Sequence, residues 1–173
     1  NPFTCNLLAT AIALTTSAEV EDVSSSKCKV FEVQGEAHEG ALLAYIHSYL
    51  DAQYPQIRYA AQEMQCMKKC YEYCTFSPNS PAFHKRRRTV IVSSDKEKTM
   101  TLYTLGRASE LINQCKTFGN NMGHTSQFDS KVRYSVESFI NELEENNIQA
   151  WAIAYRNVTE TADKWGDREL MES

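Results

Sequence analysis

Residues 65–74 read Gln65-Cys66-Met67-Lys68-Lys69-Cys70-Tyr71-Glu72-Tyr73-Cys74, three cysteines at intervals of four in a lysine- and tyrosine-rich segment. The fold class turns on this stretch. On a helix, positions four apart are rotated by about 40°, so the three thiols form one stripe roughly 12 Å long. Ile57, Ala60, Met64, Met67, Tyr71 and Cys74 step by three and four, which predicts one helical seam with the cysteines on its flank. Thiolates strung along two turns cannot converge on one zinc, whose sulfurs lie at about 2.3 Å. Neighbouring thiols on one helix also make poor disulfides with each other, so each looks outward for a partner.

Cys5, Cys28 and Cys115 supply those partners. Six cysteines allow 15 pairings, and excluding pairs within the helix leaves six, in each of which the helix staples three remote segments. Such a framework implies an oxidising compartment. The alternative is a cytosolic protein whose cysteines are small apolar core residues.

On either side of this spine the pattern also reads as helical. Cys5, Leu8 and Ile12 mark an N-terminal helix followed by a Ser24-Ser25-Ser26 linker. Leu42, Tyr45, Ile46, Tyr49 and Leu50 mark a helix ending before Tyr54-Pro55, where proline starts the next one. Residues 75–88, with two prolines and no period, read as a loop. Residues 89–105 are ambiguous: Thr89-Val90-Ile91-Val92 and Thr101-Leu102-Tyr103-Thr104 suit a small β-hairpin, whereas a helix from about residue 95 to Phe118 is the favoured reading. Val132, Val136, Phe139, Ile140 and Leu143 form a helix capped by Asp129 or Ser130, with a turn at Asn146-Asn147. Ile148, Trp151, Tyr155, Val158, Ala162 and Trp165 predict a last helix. The expected fold is therefore all-α: one domain over residues 1–173, a disulfide-stapled bundle of about five to six helices.

The chain has 173 residues, enough for one sizeable core, and its 42% apolar and 23% charged residues fit a globular protein. A net charge of -4 argues against nucleic acid and against a polyanion as the main ligand. The longest apolar run, Leu7 to Leu14, is far below the roughly 20 residues of a membrane helix, so no transmembrane segment is expected. With the Thr-Thr-Ser-Ala that follows, it has features of a signal peptide core, but it lacks a basic start; the chain is read as mature, its signal peptide removed. Asn157-Val158-Thr159 is a glycosylation sequon, consistent with a secreted glycoprotein.

Catalytic signatures are thin. The four histidines have no metal-ligand spacing, and no Gly-rich phosphate loop, nucleophile elbow or HExxH occurs, so neither metal nor cofactor is expected. His38 with Glu36 and Glu39 is a candidate acid-base cluster, against which a charged, solvated turn is the simpler reading. Lys85-Arg86-Arg87-Arg88 is the main charge anomaly and reads as an anionic-surface contact, a processing site or a solvated loop. Tyr59 and Tyr73 are candidate interface residues.

The segment Cys70-Tyr71-Glu72-Tyr73-Cys74 resembles the cysteine-tyrosine-cysteine signature of secreted aphid gall effectors, helical proteins that act in plant tissue. The resemblance covers about ten residues and assigns no site. Together these features lead to a secreted, non-enzymatic binding protein, an effector or signalling ligand that engages a host or receptor protein. The alternative is a carrier for a lipid or small apolar ligand in a cavity lined by Met64, Met67, Tyr71, Trp151 and Tyr155.

Overall fold

The computed structural model describes residues 2–23, 30–63, 67–74, 87–94, 99–120 and 124–159. In chain order the elements are α1 (Pro2–Thr15), β1 (Glu19–Asp22), β2 (Phe31–Gln34), α2 (Ala37–Leu50), α3 (Tyr54–Glu63), β3 (Met67–Cys74), β4 (Arg87–Ser94) and β5 (Thr99–Arg107). They are followed by α4 (Ala108–Leu111), β6 (Thr117–Gly119), β7 (Thr125–Gln127), α5 (Ser130–Glu145) and β8 (Trp151–Asn157). An antiparallel sheet in the order β3-β4-β5-β8 is the framework, and β1-β2 and β6-β7 form two small hairpins. The all-α expectation is thus overturned: the protein is mixed α/β.

The error lies in the cysteine stretch itself. The seam that starts at Ile57 leaves the helix after Glu63, and Met67–Cys74 pairs with β4 as a strand, with a bulge between Lys69 and Tyr71. A step of four is an even number, so residues aligned at i and i+4 on a helix also share one face of a regular strand. Only the cross-strand partner decides, and Thr89-Val90-Ile91-Val92 supplies it. The same ambiguity misled the reading of residues 151–157, while Ala162 and Trp165 of that expected helix lie outside the described residues. Trp151, Ile153 and Tyr155 alternate with Ala152, Ala154 and Arg156 along β8, which pairs with β5 from Arg107↔Trp151 to Thr101↔Asn157. Residues 89–94 and 99–105 lie on two paired strands rather than on the favoured helix, with β4 and β5 in register from Arg87↔Gly106 to Ser94↔Thr99, and residues 95–98 lie outside the described residues. Cys5 and Cys115 are free, which removes two of the three expected staples; Cys28, Cys66 and the side chains of Cys70 and Cys74 lie outside what the structure describes.

Other local signals lead to the expected elements. The N-terminal helix forms, α2 ends at Leu50, and α3 begins at Tyr54-Pro55. Asp129 caps α5, its Oδ1 accepting from the Val132 N–H at 2.8 Å. Among the described residues no helix is long and apolar enough to cross a membrane.

α1 is packed on one face of the sheet: its Ala11 and Leu14 meet Val90 and Val92 of β4, Tyr103 of β5 and Ala61 of α3. Its Ala9, Ile12 and Ala13 meet Leu43 and Ile46 of α2. Ile12, Leu43 and Ile46 are at most 2% exposed, and burying each such side chain is worth about 1.5–3 kcal/mol. On the other face Ala108, Ile112 and Ile140 pack with Ala152 of β8.

The α1–β1 junction is held by two charged side chains. Glu39 is 2% exposed, and its carboxylate accepts from the Ser17 and Ala18 N–H groups at 2.7 and 2.9 Å, from Ser17 Oγ, and from Arg88 at 3.0 Å. Arg58 donates to the carbonyls of Ala13, Thr16 and Ala18 and to Thr16 Oγ1. Burial draws the Arg58 guanidinium below its ordinary pKa, against the attraction of Tyr54, Glu19 and Glu39. The expected solvated turn around Glu39 is therefore a buried anchor that fixes the start of α2. Gly40 tightens the same place, because a Cβ there would lie 2.3 Å from Val33 Cγ1.

Candidate functional site

The turn from β2 into α2 passes through Gly35 at φ +120°, a conformation that L side chains rarely adopt, and places His38 in the first turn of the helix. With the next residue, Glu39, anchored in the core, the half-buried His38 ring is held over the first residue of β8. It stacks on Trp151 with centroids 4.3 Å apart and planes 5° from parallel. Glu36, the N-cap of α2, has an exposed carboxylate 4.0 Å from His38 Nδ1.

Trp151 is the register partner of Arg107, the last residue of β5, and directly opposed residues of an antiparallel pair project from the same face. Arg107 also precedes α4, and the chain is closed at this point by Ala108 N–H donating to the Ala150 carbonyl at 2.9 Å. The Arg107 Nε is buried and has no hydrogen-bond partner, which is costly for a cationic donor unless a ligand or water completes it.

Arg107 opens onto a cavity of about 260 Å³ that it lines with Glu144, Asn147, Ile148, Gln149 and Ala150. α5 shapes this wall at its C-terminus. Asn147 takes the left-handed conformation at φ 59°, and the Ile148 N–H returns to the Leu143 carbonyl at 2.9 Å, turning residues 147–150 toward β8. Glu144 is tethered by Ser109 Oγ at 3.1 Å. The result is an aromatic stack, one guanidinium, one carboxylate and the amides of Asn147 and Gln149 along one end of the β5–β8 pair. Chemically this suits a flat ring carrying a polar or anionic tail. Among the described residues no group of three or more His, Cys, Asp or Glu could hold a metal ion.

The residues singled out from sequence are dispersed. Arg87 and Arg88 are not in a loop: they begin β4, where Arg87 is 8% exposed and donates to Gln114 Oε1 at 2.9 Å, and Arg88 joins Glu39. Lys85, Arg86 and Met64 lie outside the described residues, while Met67, Cys70, Tyr71, Tyr73 and Cys74 belong to β3. Trp151 and Tyr155 sit on β8; neither lines the cavity, and Tyr155 is 43% exposed. Tyr59 is exposed on α3, and Asn157 is exposed at the end of β8.

Of the sequence candidates, His38 and Trp151 come together as a stack, and Arg88 and Glu39 come together as a buried ion pair. Arg107, Glu144 and Gln149 carried no signal of their own, since a lone arginine after Gly106 has no motif. The readable hint was His38 beside Glu39; its aromatic partner lies on a different element, at the far end of the chain.

A family model described as P-type ATPase, cytoplasmic domain N, matches residues 4–173. No curated protein matches the chain. The family match overturns the secreted effector or apolar carrier, the extracellular location and the likeness to gall effectors. A cytoplasmic domain needs no signal peptide, and the argument for glycosylation at Asn157 loses its compartment.

Proposed function

Because the chain belongs to the family of the P-type ATPase cytoplasmic domain N, we propose that it holds ATP for cleavage carried out elsewhere in the enzyme. The adenine ring extends the His38–Trp151 stack, and the phosphates run past Arg107 along the cavity. The observation that carries this reading is the 4.3 Å parallel stack in register with an arginine whose Nε lacks a partner. Stacking a base on an aromatic side chain is worth about 1–3 kcal/mol, and a guanidinium suits a phosphate better than any other side chain.

The family is one of enzyme domains, and in this reading the chain contributes binding rather than bond breaking. Glu39, the acid nearest the stack in sequence, is buried and engaged with four donors, so it positions His38 instead of reaching the ligand.

Isothermal titration of ATP into the chain tests the reading, with Trp151→Ala as the comparison. Binding to the parent that weakens about tenfold or more in the variant is expected from the stacking term. Unchanged binding in Trp151→Ala would move the site elsewhere, and no heat in either protein would sink the proposal.

A further inference from the structure

α5 carries an apolar seam that the domain leaves outside its core. Val132, Val136, Phe139 and Leu143 follow steps of four, three and four, the d-a-d-a spacing of a coiled-coil helix. By sequence they belong with Ile140 in one buried stripe, yet Ile140 alone of the α5 residues is buried. Val132 and Leu143 are half-buried, and Val136 and Phe139 are 36% and 59% exposed.

A different face holds the helix to the body. Ile140 packs on Ala108 and Ile112, Arg133 donates to the Ile112 and Cys115 carbonyls and covers the Phe128 ring, and Glu144 accepts from Ser109 Oγ. At 100° per residue, the seam is turned about 90° from that face. A contiguous row of large apolar side chains at this angle fits a second surface rather than the domain's own core.

The geometry of the row selects its occupant. It is symmetric about a point between Glu137 and Ser138, so a second α5 running antiparallel sets Val132 opposite the partner's Leu143 and Val136 opposite the partner's Phe139. One self-complementary surface related by a two-fold axis makes a closed pair. Charge favours the same direction, because the exposed flank of the seam begins with Lys131 and ends with Glu142 and Glu145. Antiparallel pairing brings Lys131 to the partner's Glu142 and opposes the two helix dipoles, whereas parallel pairing sets like charges side by side.

We propose that two copies of this chain associate through α5 as an antiparallel pair. A helix of 16 residues is about 24 Å long and covers a few hundred Å², below the roughly 800 Å² per partner of a standard interface. The net charge of -4 on each copy also opposes the approach. The pair is therefore weak and concentration-dependent, with a dissociation constant on the order of 10–100 µM.

Sedimentation velocity of the chain from about 1 to about 300 µM tests the proposal. A monomer at the low end that becomes a dimer at the high end is expected. Phe139→Glu puts a charge in the middle of the seam and should weaken the dimer at least tenfold, while the exposed position leaves the thermal unfolding of the monomer in place. Lys131→Glu and Glu142→Lys, each alone, should weaken it about threefold to tenfold, and both changes in one chain should return it to within about twofold of the parent.

A chain that stays monomeric over the whole range overturns the proposal and leaves the seam to a different occupant. A dimer that persists unchanged in Phe139→Glu overturns it too, by placing the contact elsewhere. Loss in both single charge variants without recovery in the double variant would overturn the antiparallel arrangement.

Discussion

Arg58, on α3, and Arg107, at the end of β5, are used in opposite ways. Arg58 points into the α1–β1 junction and meets four acceptors, three of them backbone carbonyls. Arg107 leaves a buried Nε unpartnered beside a cavity. The acids divide similarly: Glu39 accepts four hydrogen bonds in the core, whereas Glu144 has its carboxylate at an open wall. The first region holds the fold. The second leaves polar capacity open beside a cavity, where water or a ligand can complete it.

Substitutions that respect this division should separate stability from binding. Glu39→Ala is expected to have the largest effect, a loss of about 3–5 kcal/mol in urea unfolding, because Arg88 and two backbone N–H groups lose their acceptor in the core. Gly40→Ala comes next, at about 1–3 kcal/mol, since the new Cβ meets Val33 at 2.3 Å. Val33→Ala in the same chain should recover most of that loss, and failure to do so would mean that the tight contact is not the cause.

Arg107→Gln should change unfolding stability by less than about 0.5 kcal/mol, yet weaken ATP binding by removing the guanidinium beside the cavity. A stability loss as large as that of Glu39→Ala would place Arg107 with the structural arginines and end the comparison.

The smallest effect concerns Cys115. Burial pushes its thiol up, with Arg133 acting in the opposite direction. Its alkylation, followed by peptide mapping, should be slower than that of an unhindered thiol at neutral pH. The matching stability term is fully present below the unfolded thiol value, near about 8.5, and is lost as pH rises through the higher folded value. A Cys115→Ser variant with the same alkaline stability profile would show that another group is responsible.

How far the sequence could be read depended on whether a pattern had a local cause. Pro55 starts a helix by fixing φ and lacking an N–H, and Asp129 ends a loop by accepting a helix N–H; both act within a few residues and both led to the observed boundaries. The hairpin was visible as an alternative in Thr89-Val90-Ile91-Val92 and Thr101-Leu102-Tyr103-Thr104, and lost to a helical reading carried by Leu105, Ala108, Ile112 and Cys115. At Trp151 and Tyr155 the step of four fitted a helix and a strand equally well.

The site was less legible than the fold. His38 and Trp151 were both noticed, for unrelated reasons: one as a member of an acid-base cluster, the other as a helix seam residue. The stack between them exists because the Glu39 anchor fixes the start of α2 while β5 fixes the start of β8.

The sequence by itself determined the helices α1, α2 and α5, the start of α3 at Tyr54-Pro55 and the Asp129 cap, because those depend on neighbours within one or two turns. Only the tertiary structure decided that residues 67–74 and 151–157 are strands, that His38 stacks on Trp151 and that Arg107 is the register partner of Trp151. A strand's hydrogen bonds and a cleft's walls come from remote segments, and no local spacing encodes which segments those will be.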